Sequence, residues 1–338
     1  MNLGFGLLGA QLRPGDTDWT AAYDETVRLA VEAERLGYSS VWTTEHHFVD
    51  DGYMPSLLVV SAALAAATET IEIGTGVILA PLHDPIRLAE DAATVQLLSK
   101  GRLVLGLGLG WNPIEFEALG ADLHRRGKAM DEILDILPKA WTGEPFKHSG
   151  SVYDLPEVGV RPTPSVPIPI VIGGSAERAV RRAARLTQGV FANAPLERFA
   201  EQVEWTLDEL DKAGRRADDF RFIHYSILYP ADSEAQGWDE IGEQVWNMAW
   251  KYGDMEESAS RSGPVRYAPG ITEADEQKLR WRSAFVGPSE RIVEDLHAIR
   301  ARVGVPIEFV ARSAFHTLDY ARQVEVMQRL AEEVGPHL

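Results

Sequence analysis

Residues 71–111, IEIGTGVILAPLHDPIRLAEDAATVQLLSKGRLVLGLGLGW, decide the fold. Ile71–Leu79 and Arg102–Leu107 are short, nearly continuous apolar runs, and Ile86–Leu98 between them places its apolar residues at helical spacing. Strands apolar on both faces must be covered on both faces, which a strand–helix–strand crossover in a parallel sheet achieves. The same alternation recurs along the chain. Further strands are expected at Asn2–Leu8, Ser39–Thr43, Ile168–Ile172, Gly189–Asn193, Phe220–Leu228 and Ile307–Ala311. Further helices are expected at Trp19–Leu36, Ser56–Ala67, Arg126–Trp141, Ala176–Leu186, Leu196–Ala213, Ser289–Val303 and Leu318–Val334. Eight strand–helix units predict an α/β chain closed into a TIM (β/α)8 barrel, with an open doubly wound sheet as the alternative.

Two stretches exceed this minimal pattern. Residues 143–169 are rich in proline and glycine and are expected to make an excursion before strand five. A longer insertion, residues 229–287, lies between strand seven and helix seven and carries Trp238, Trp246, Trp250 and Trp281, four of the nine tryptophans. It follows a barrel strand, so it opens on the carboxyl face, where barrel active sites lie, and reads either as a lid or as a self-packed decoration. Domain organisation is therefore read as one barrel over residues 1–338 with this lid inside it. Trp238, Trp246, Trp250, Tyr252 and Trp281 are candidates for an apolar pocket wall.

The chain has 338 residues, 51 acidic against 33 basic, and no cysteine. Residues 201–260 alone hold 15 acidic and 5 basic side chains, so the formal charge of -18 is concentrated beside the insertion. An acidic surface repels nucleic-acid backbones and anionic membranes at long range, and neither is expected as a partner. Without thiols there is no cysteine nucleophile, disulfide or thiolate metal site. The first basic residue is Arg13 and the longest apolar run is Leu57–Ala67, so neither a secretory leader nor a membrane span is expected, and the expected location is cytoplasmic. The same run is more apolar than one buried helix face needs, which suits a homodimer contact.

Four clusters can carry chemistry. Glu45-His46-His47-Phe48 follows strand two and offers acid–base histidines with an orienting carboxylate; spacing alone does not choose between His46 and His47. Adjacent histidines on extended chain point to opposite sides and no third ligand is evident, so no metal site is assigned. Gly74-Thr75-Gly76-Val77 ends strand three, where glycines mark a bulge or the close approach of a flat ligand or another backbone. Gly106-Leu107-Gly108-Leu109-Gly110-Trp111 lacks the dinucleotide-binding spacing and instead leaves room for a planar ring. Gly173-Gly174-Ser175 precedes a helix whose first amides, with Ser175 as cap, could cradle a phosphate, and Arg125 and Arg126 are placed to reach the same anion.

Taken in order, these clusters resemble the bacterial luciferase-like monooxygenase family of flavin-dependent barrels. The resemblance is carried by Glu45–Phe48, Gly74-Thr75 through His83-Asp84-Pro85, Arg87–Asp91, Leu98–Arg102, Gly106–Trp111 with Glu115-Phe116 and Leu119-Gly120, and more thinly by Gly173–Ser175 and Phe285–Ser289. It implies His46 as the catalytic histidine with Glu45 beside it. It further implies a cis peptide at Gly76–Val77 behind the flavin ring, and cofactor contacts from Thr75, Gly76, Val77, Gly108, Trp111, Arg126, Gly173, Gly174 and Ser175. Where the family's luciferase has a phosphate-contacting arginine on strand four this chain has Leu109, so Arg126 is the candidate for that charge. Gly108 stands where luciferase has a reactive cysteine.

The activity implied is that of a two-component monooxygenase: a separate flavin reductase supplies reduced FMN, which reacts with dioxygen to a flavin C4a-peroxide that oxygenates a small organic substrate. Light emission is not implied. Relatives using the deazaflavin coenzyme F420 transfer hydride on the same fold and give the first alternative. A flavin-binding protein without turnover and a metal-dependent barrel hydrolase are the others.

Overall fold

The computed structural model describes residues 2–13, 15–257, 265–280 and 284–338. Among them, eight parallel strands close on themselves: β1 (Leu3–Leu8), β2 (Ser40–Thr43), β3 (Glu72–Thr75), β4 (Leu103–Gly108), β5 (Ile170–Gly173), β6 (Gly189–Ala192), β7 (Arg221–Pro230) and β8 (Glu308–Arg312). Each pairs with its sequence neighbour, and β8 returns to β1 with Phe309 opposite Leu3. The helices α1 (Trp19–Arg35), α2 (Leu57–Ala67), α3 (Pro85–Leu98), α4 (Arg126–Thr142), α5 (Glu177–Leu186), α6 (Leu196–Lys212), α7 (Ser289–Val303) and α8 (Tyr320–Arg329) follow the strands in turn. This is the (β/α)8 barrel expected from the alternating pattern, not the open sheet.

Strand periodicity sorts the core into two layers. Side chains of one parity, among them Leu7, Trp42, Val104, Val171, Phe191, Ile223 and Val310, fill the barrel interior, and the other parity packs against the helices. Trp42, Phe191 and Tyr225 stack in a column with 4.5 Å between successive ring centroids. Gly74 makes that column possible, since a Cβ there would lie 2.3 Å from the Trp42 indole. Its glycine therefore admits a core side chain and not a ligand.

The expected strand at Ile71–Leu79 is broken in two. The Thr75 hydroxyl accepts from Gly106 N (2.8 Å) and donates to Gly106 O (2.9 Å), drawing the chain onto β4. A Cβ at Gly106 would sit 1.9 Å from Thr75 O. Pairing resumes at Ile78–Leu79 after a cis Gly76–Val77 peptide; a second non-prolyl cis peptide, Gly6–Leu7, had no signal in the sequence.

The excursion before β5 is an antiparallel hairpin, Phe146–Ser149 with Asp154–Val158. Glu132 of α4 holds its turn by accepting from the amides of Ser151 (2.7 Å), Val152 (3.0 Å) and Tyr153 (2.8 Å). The insertion after β7 contributes a 24-residue helix, Glu234–Glu257, a short helix, Glu273–Arg280, and a strand, Ala284–Gly287, that runs parallel to the end of β7. Its tryptophans divide: Trp238 is buried in the outer core, Trp246 donates to Pro269 O (2.8 Å), and the Arg266 guanidinium lies 5.9 Å from the Trp250 ring. Trp281 lies outside the described residues. Among the described residues no helix is long and apolar enough to cross a membrane.

Candidate active site

The carboxyl ends of the strands open into a cavity of ≈ 540 Å³, lined by Leu7, Thr44, Glu45, His46, Gly76, Val77, Gly108, Trp111, Arg126, Gly173, Gly174, Ser175, Tyr225 and Tyr252. Val77 is part of its lining, and Gly108 and Gly173, which also line it, make room for the Val77 side chain: a Cβ at either would approach Val77 methyls to 2.5 and 2.6 Å. Thr75, grouped with these residues in the sequence, does not reach the cavity; its hydroxyl is spent on Gly106. Position along a strand could not show which parity the bulge would turn inward.

The loop after β2 places His46 in the cavity wall. The segment doubles back so that His46 bridges Met54, with Phe48 (φ 60) and Tyr53 (φ 42) in left-handed conformations. His46 is caged edge-on by Tyr53 (4.8 Å between centroids), Tyr252 (5.5 Å) and Trp111 (5.9 Å). Its Nδ1 lies 3.1 Å from Glu115 Oε1, which also accepts from His47 N at 2.9 Å. Glu115 is delivered by a short helix, Pro113–Ala118, that Asn112 caps by accepting from Ile114 N (3.4 Å). The second carboxylate oxygen, Oε2, is buried and meets no donor among the described residues.

Glu45 is not the orienting carboxylate of His46. It is buried in the wall and holds His47 Nε2 (3.1 Å), His83 Nε2 (3.0 Å) and the amide of Leu79. The two histidines thus serve different carboxylates, His46 inside the cavity with Glu115 and His47 behind it with Glu45. Alternation along the extended segment separates them, and nothing in the local sequence announced a partner 69 positions away. Among the described residues no cluster of His, Asp and Glu is arranged to hold a metal ion.

The electrostatics follow from these contacts. Burial, the largest influence on Glu45, favours the neutral acid, but the two histidines and the Leu79 amide together hold its carboxyl down to about 2. Burial likewise opposes the charged form of His46; the bond to Glu115 and the fields of Tyr252, Glu115 and Glu45 outweigh it and raise the imidazole above its usual value. Tyr252 comes from the insertion helix, so the insertion does line the cavity. Its hydroxyl lies 3.2 Å from that of Tyr53. Burial pushes the phenol up, whereas Arg312, His46 and the Tyr53 hydroxyl draw it below the ordinary phenol range.

The far end of the cavity is assembled from β5 and α4. Ser175 does not cap α5: Ala176 occupies the cap position, no side chain bonds the first amides, and the Ser175 carbonyl instead accepts from Arg198 and Gln202 (3.2 Å each). The opening amides of the helix therefore stay available to an anion, where the helix dipole also favours one. Arg126, at the start of α4, lines the same cavity and is steadied by its bond to Leu123 O (2.6 Å); Arg125 turns away to the Ser151 carbonyl. A planar ring over Val77 and a phosphate at Arg126 and α5 fit these residues.

Sequence comparison gives a matching family. The model described as luciferase-like monooxygenase matches residues 1–306. Among curated relatives, the chain is 28% identical over 241 residues to the oxygenase component of a flavin-dependent trigonelline monooxygenase of Acinetobacter baylyi, covering 68% of this chain and 65% of that one. It is 31% identical over 221 residues to an F420-dependent glucose-6-phosphate dehydrogenase of Microbacterium testaceum, covering 62% and 66%. The chain thus spans slightly less than two thirds of the length of these two relatives. The crystal structure of monooxygenase RslO1 from Streptomyces bottropensis superposes with a TM-score of 0.85 at 22% identity, over 100% of this chain and 99% of that one, and so shares its fold. On the family match over residues 1–306, the chain belongs to the luciferase-like monooxygenase family.

Proposed function

We propose that the protein is the oxygenase of a two-component system, using FMN reduced by a separate flavin reductase to oxygenate a small organic substrate. The observation that carries this reading is one cavity holding, at one end, His46 bonded to Glu115 and, at the other, the uncapped start of α5 beside Arg126. When bound, reduced FMN would supply the reaction with dioxygen. The chain's residues do the rest. Arg126 and the α5 amides hold the phosphate, and Gly108 and Gly173 let the ring settle against Val77. Trp111 and Tyr252, stacked with 6.0 Å between centroids, shield the space around His46 from water. Nδ1 of His46 is committed to Glu115, so Nε2 is the nitrogen that gives or takes a proton at the reacting centre.

Two observations support oxygenation over hydride transfer. The insertion brings Tyr252 against His46, a shelter from water that oxygen chemistry at this site would need more than hydride transfer would. The Acinetobacter relative is named an oxygenase component, consistent with a partner reductase. The second reading, deazaflavin-dependent hydride transfer, rests on the likeness to the F420-dependent dehydrogenase. Anaerobic turnover assays with each reduced cofactor separate them; product formed without dioxygen from the deazaflavin would overturn the oxygenase reading. In solution we expect a homodimer formed through the outer face of α2, where Val59 is 72% exposed, and light scattering checks this.

A further inference from the structure

Arg312 is the last residue of β8 and lies half-buried at the carboxyl end of the barrel, under the insertion helix. No carboxylate among the described residues pairs with it. Its neighbours are tyrosines: the Tyr252 ring centroid is 6.0 Å from its guanidinium carbon, and Tyr53 and Tyr225 are close enough to act on its charge. A neighbouring cation that is fully buried is treated differently. Lys251 is 4% exposed and is matched by two carboxylates, those of Asp50 and Asp51. A half-buried guanidinium surrounded by hydroxyls, with no carboxylate to pair it, keeps its charge and its planar fork available to an anionic ligand.

Open space lies beside Arg312. It lines two small cavities, of ≈ 30 and ≈ 70 Å³, on the insertion side of the barrel. The larger is walled by Ile227, Val245, Met248 and Leu279 and shares Tyr252 with the main cavity; the smaller shares Leu7 and Thr44 with it. Arg312 does not line the main cavity where Arg126 and α5 meet, so its anion is not the cofactor phosphate. Tyr252 spans the gap to the reacting centre, its ring 5.5 Å from that of His46.

We infer that Arg312 binds the carboxylate of the substrate, a small carboxylic acid whose apolar body lies along Tyr252 toward His46. A guanidinium fork matches the planar carboxylate in two-point geometry, and the apolar walls leave the remainder of the molecule desolvated. This rests on the reading of the main cavity as a cofactor and substrate site, and it names the substrate class.

The test is binding to the full-length apoprotein by titration calorimetry, with acetate and benzoate against acetamide and benzamide. At least one carboxylate should bind about tenfold tighter than its amide, the ratio separating a charge-assisted pair from a neutral one. Arg312→Met should abolish that preference with FMN affinity kept within about twofold, and Arg126→Ala should leave the preference intact. The inference is overturned by equal binding or no binding of acids and amides, by a preference that survives Arg312→Met or vanishes in Arg126→Ala, or by loss of FMN affinity in Arg312→Met. Should Arg312→Met fail to fold, the wild-type protein still decides. A carboxylate seated on Arg312 sets a negative charge beside the Tyr252 ring, so acetate or benzoate should perturb tyrosine absorbance where the matching amide does not, and no difference for either acid refutes it. Failure of oxygenation with an intact acid preference counts against the proposed function alone.

Discussion

Replacing Glu115 by Gln tests the pairing on which the acid–base role of His46 depends. Glutamine keeps the size of the side chain and an oxygen for the His47 amide, but removes the charge that faces His46 Nδ1 at 3.1 Å. At an effective dielectric of about 20, a full charge pair at 3.1 Å has a gross Coulomb energy of about 5 kcal/mol, an upper bound because burial of the imidazolium opposes it. Net, a hydrogen bond to a charged group contributes about 1.5–3 kcal/mol. In the wild type the folded-state value of His46 lies above its ordinary 6.5, so its contribution to stability is complete below pH 6.5 and is lost as the pH rises through the raised value. The Glu115→Gln deficit should therefore be about 1.5–3 kcal/mol at pH about 5.5 and shrink toward alkaline pH. Urea denaturation at several pH values measures it, and NMR titration of the His46 Cε1 proton should show the midpoint moving down. An unmoved midpoint, or a deficit that does not change with pH, would refute the pairing and leave Glu115 a packing residue.

Arg126→Ala should weaken FMN binding by about 10- to 100-fold, the worth of one charge-assisted hydrogen bond, while leaving riboflavin, which lacks the phosphate, unchanged; equilibrium dialysis of both ligands decides it. Gly173→Ala puts a methyl 2.6 Å from a Val77 methyl, so the fold should lose about 1–3 kcal/mol and flavin affinity should fall with the displaced Val77, read by chemical denaturation and by fluorescence quenching. Lys251→Met strips the buried Asp50 and Asp51 of their shared cation and should cost about 3–5 kcal/mol at neutral pH. Burial opposes ionisation of Asp50, but its bonds to Lys251 and the Arg266 amide win and depress it below 3.8, so by chemical denaturation the deficit should close only as the pH falls below that value.

How much of this was legible in the sequence depended on whether the signal was local. The barrel was, because eight apolar runs separated by amphipathic helices admit few other arrangements. His46 was legible as one of two adjacent histidines, but its partner was not. Glu115 sits on a six-residue helix after β4, and its approach to His46 is made by barrel closure, not by spacing. Glu45, which the sequence put beside His46, turns instead into the wall. Residue type makes Ser175 a helix cap, but one residue of offset in where α5 begins leaves the cap position to Ala176. Arg312 ends a strand whose inward and outward positions alternate in a run too short to orient from pattern alone. Tyr252 was legible only as one aromatic among several in the insertion, since its reach into the cavity depends on Lys251 and Arg266 binding the insertion to Asp50.

The most direct test of the central claim is an anaerobic titration of the protein with reduced FMN and with reduced coenzyme F420, followed by admission of oxygen. Reduced FMN should bind, its reoxidation should be slower on the protein than free in solution, and Arg126→Ala should weaken the binding. Tight binding of the deazaflavin with no measurable affinity for reduced FMN would contradict it.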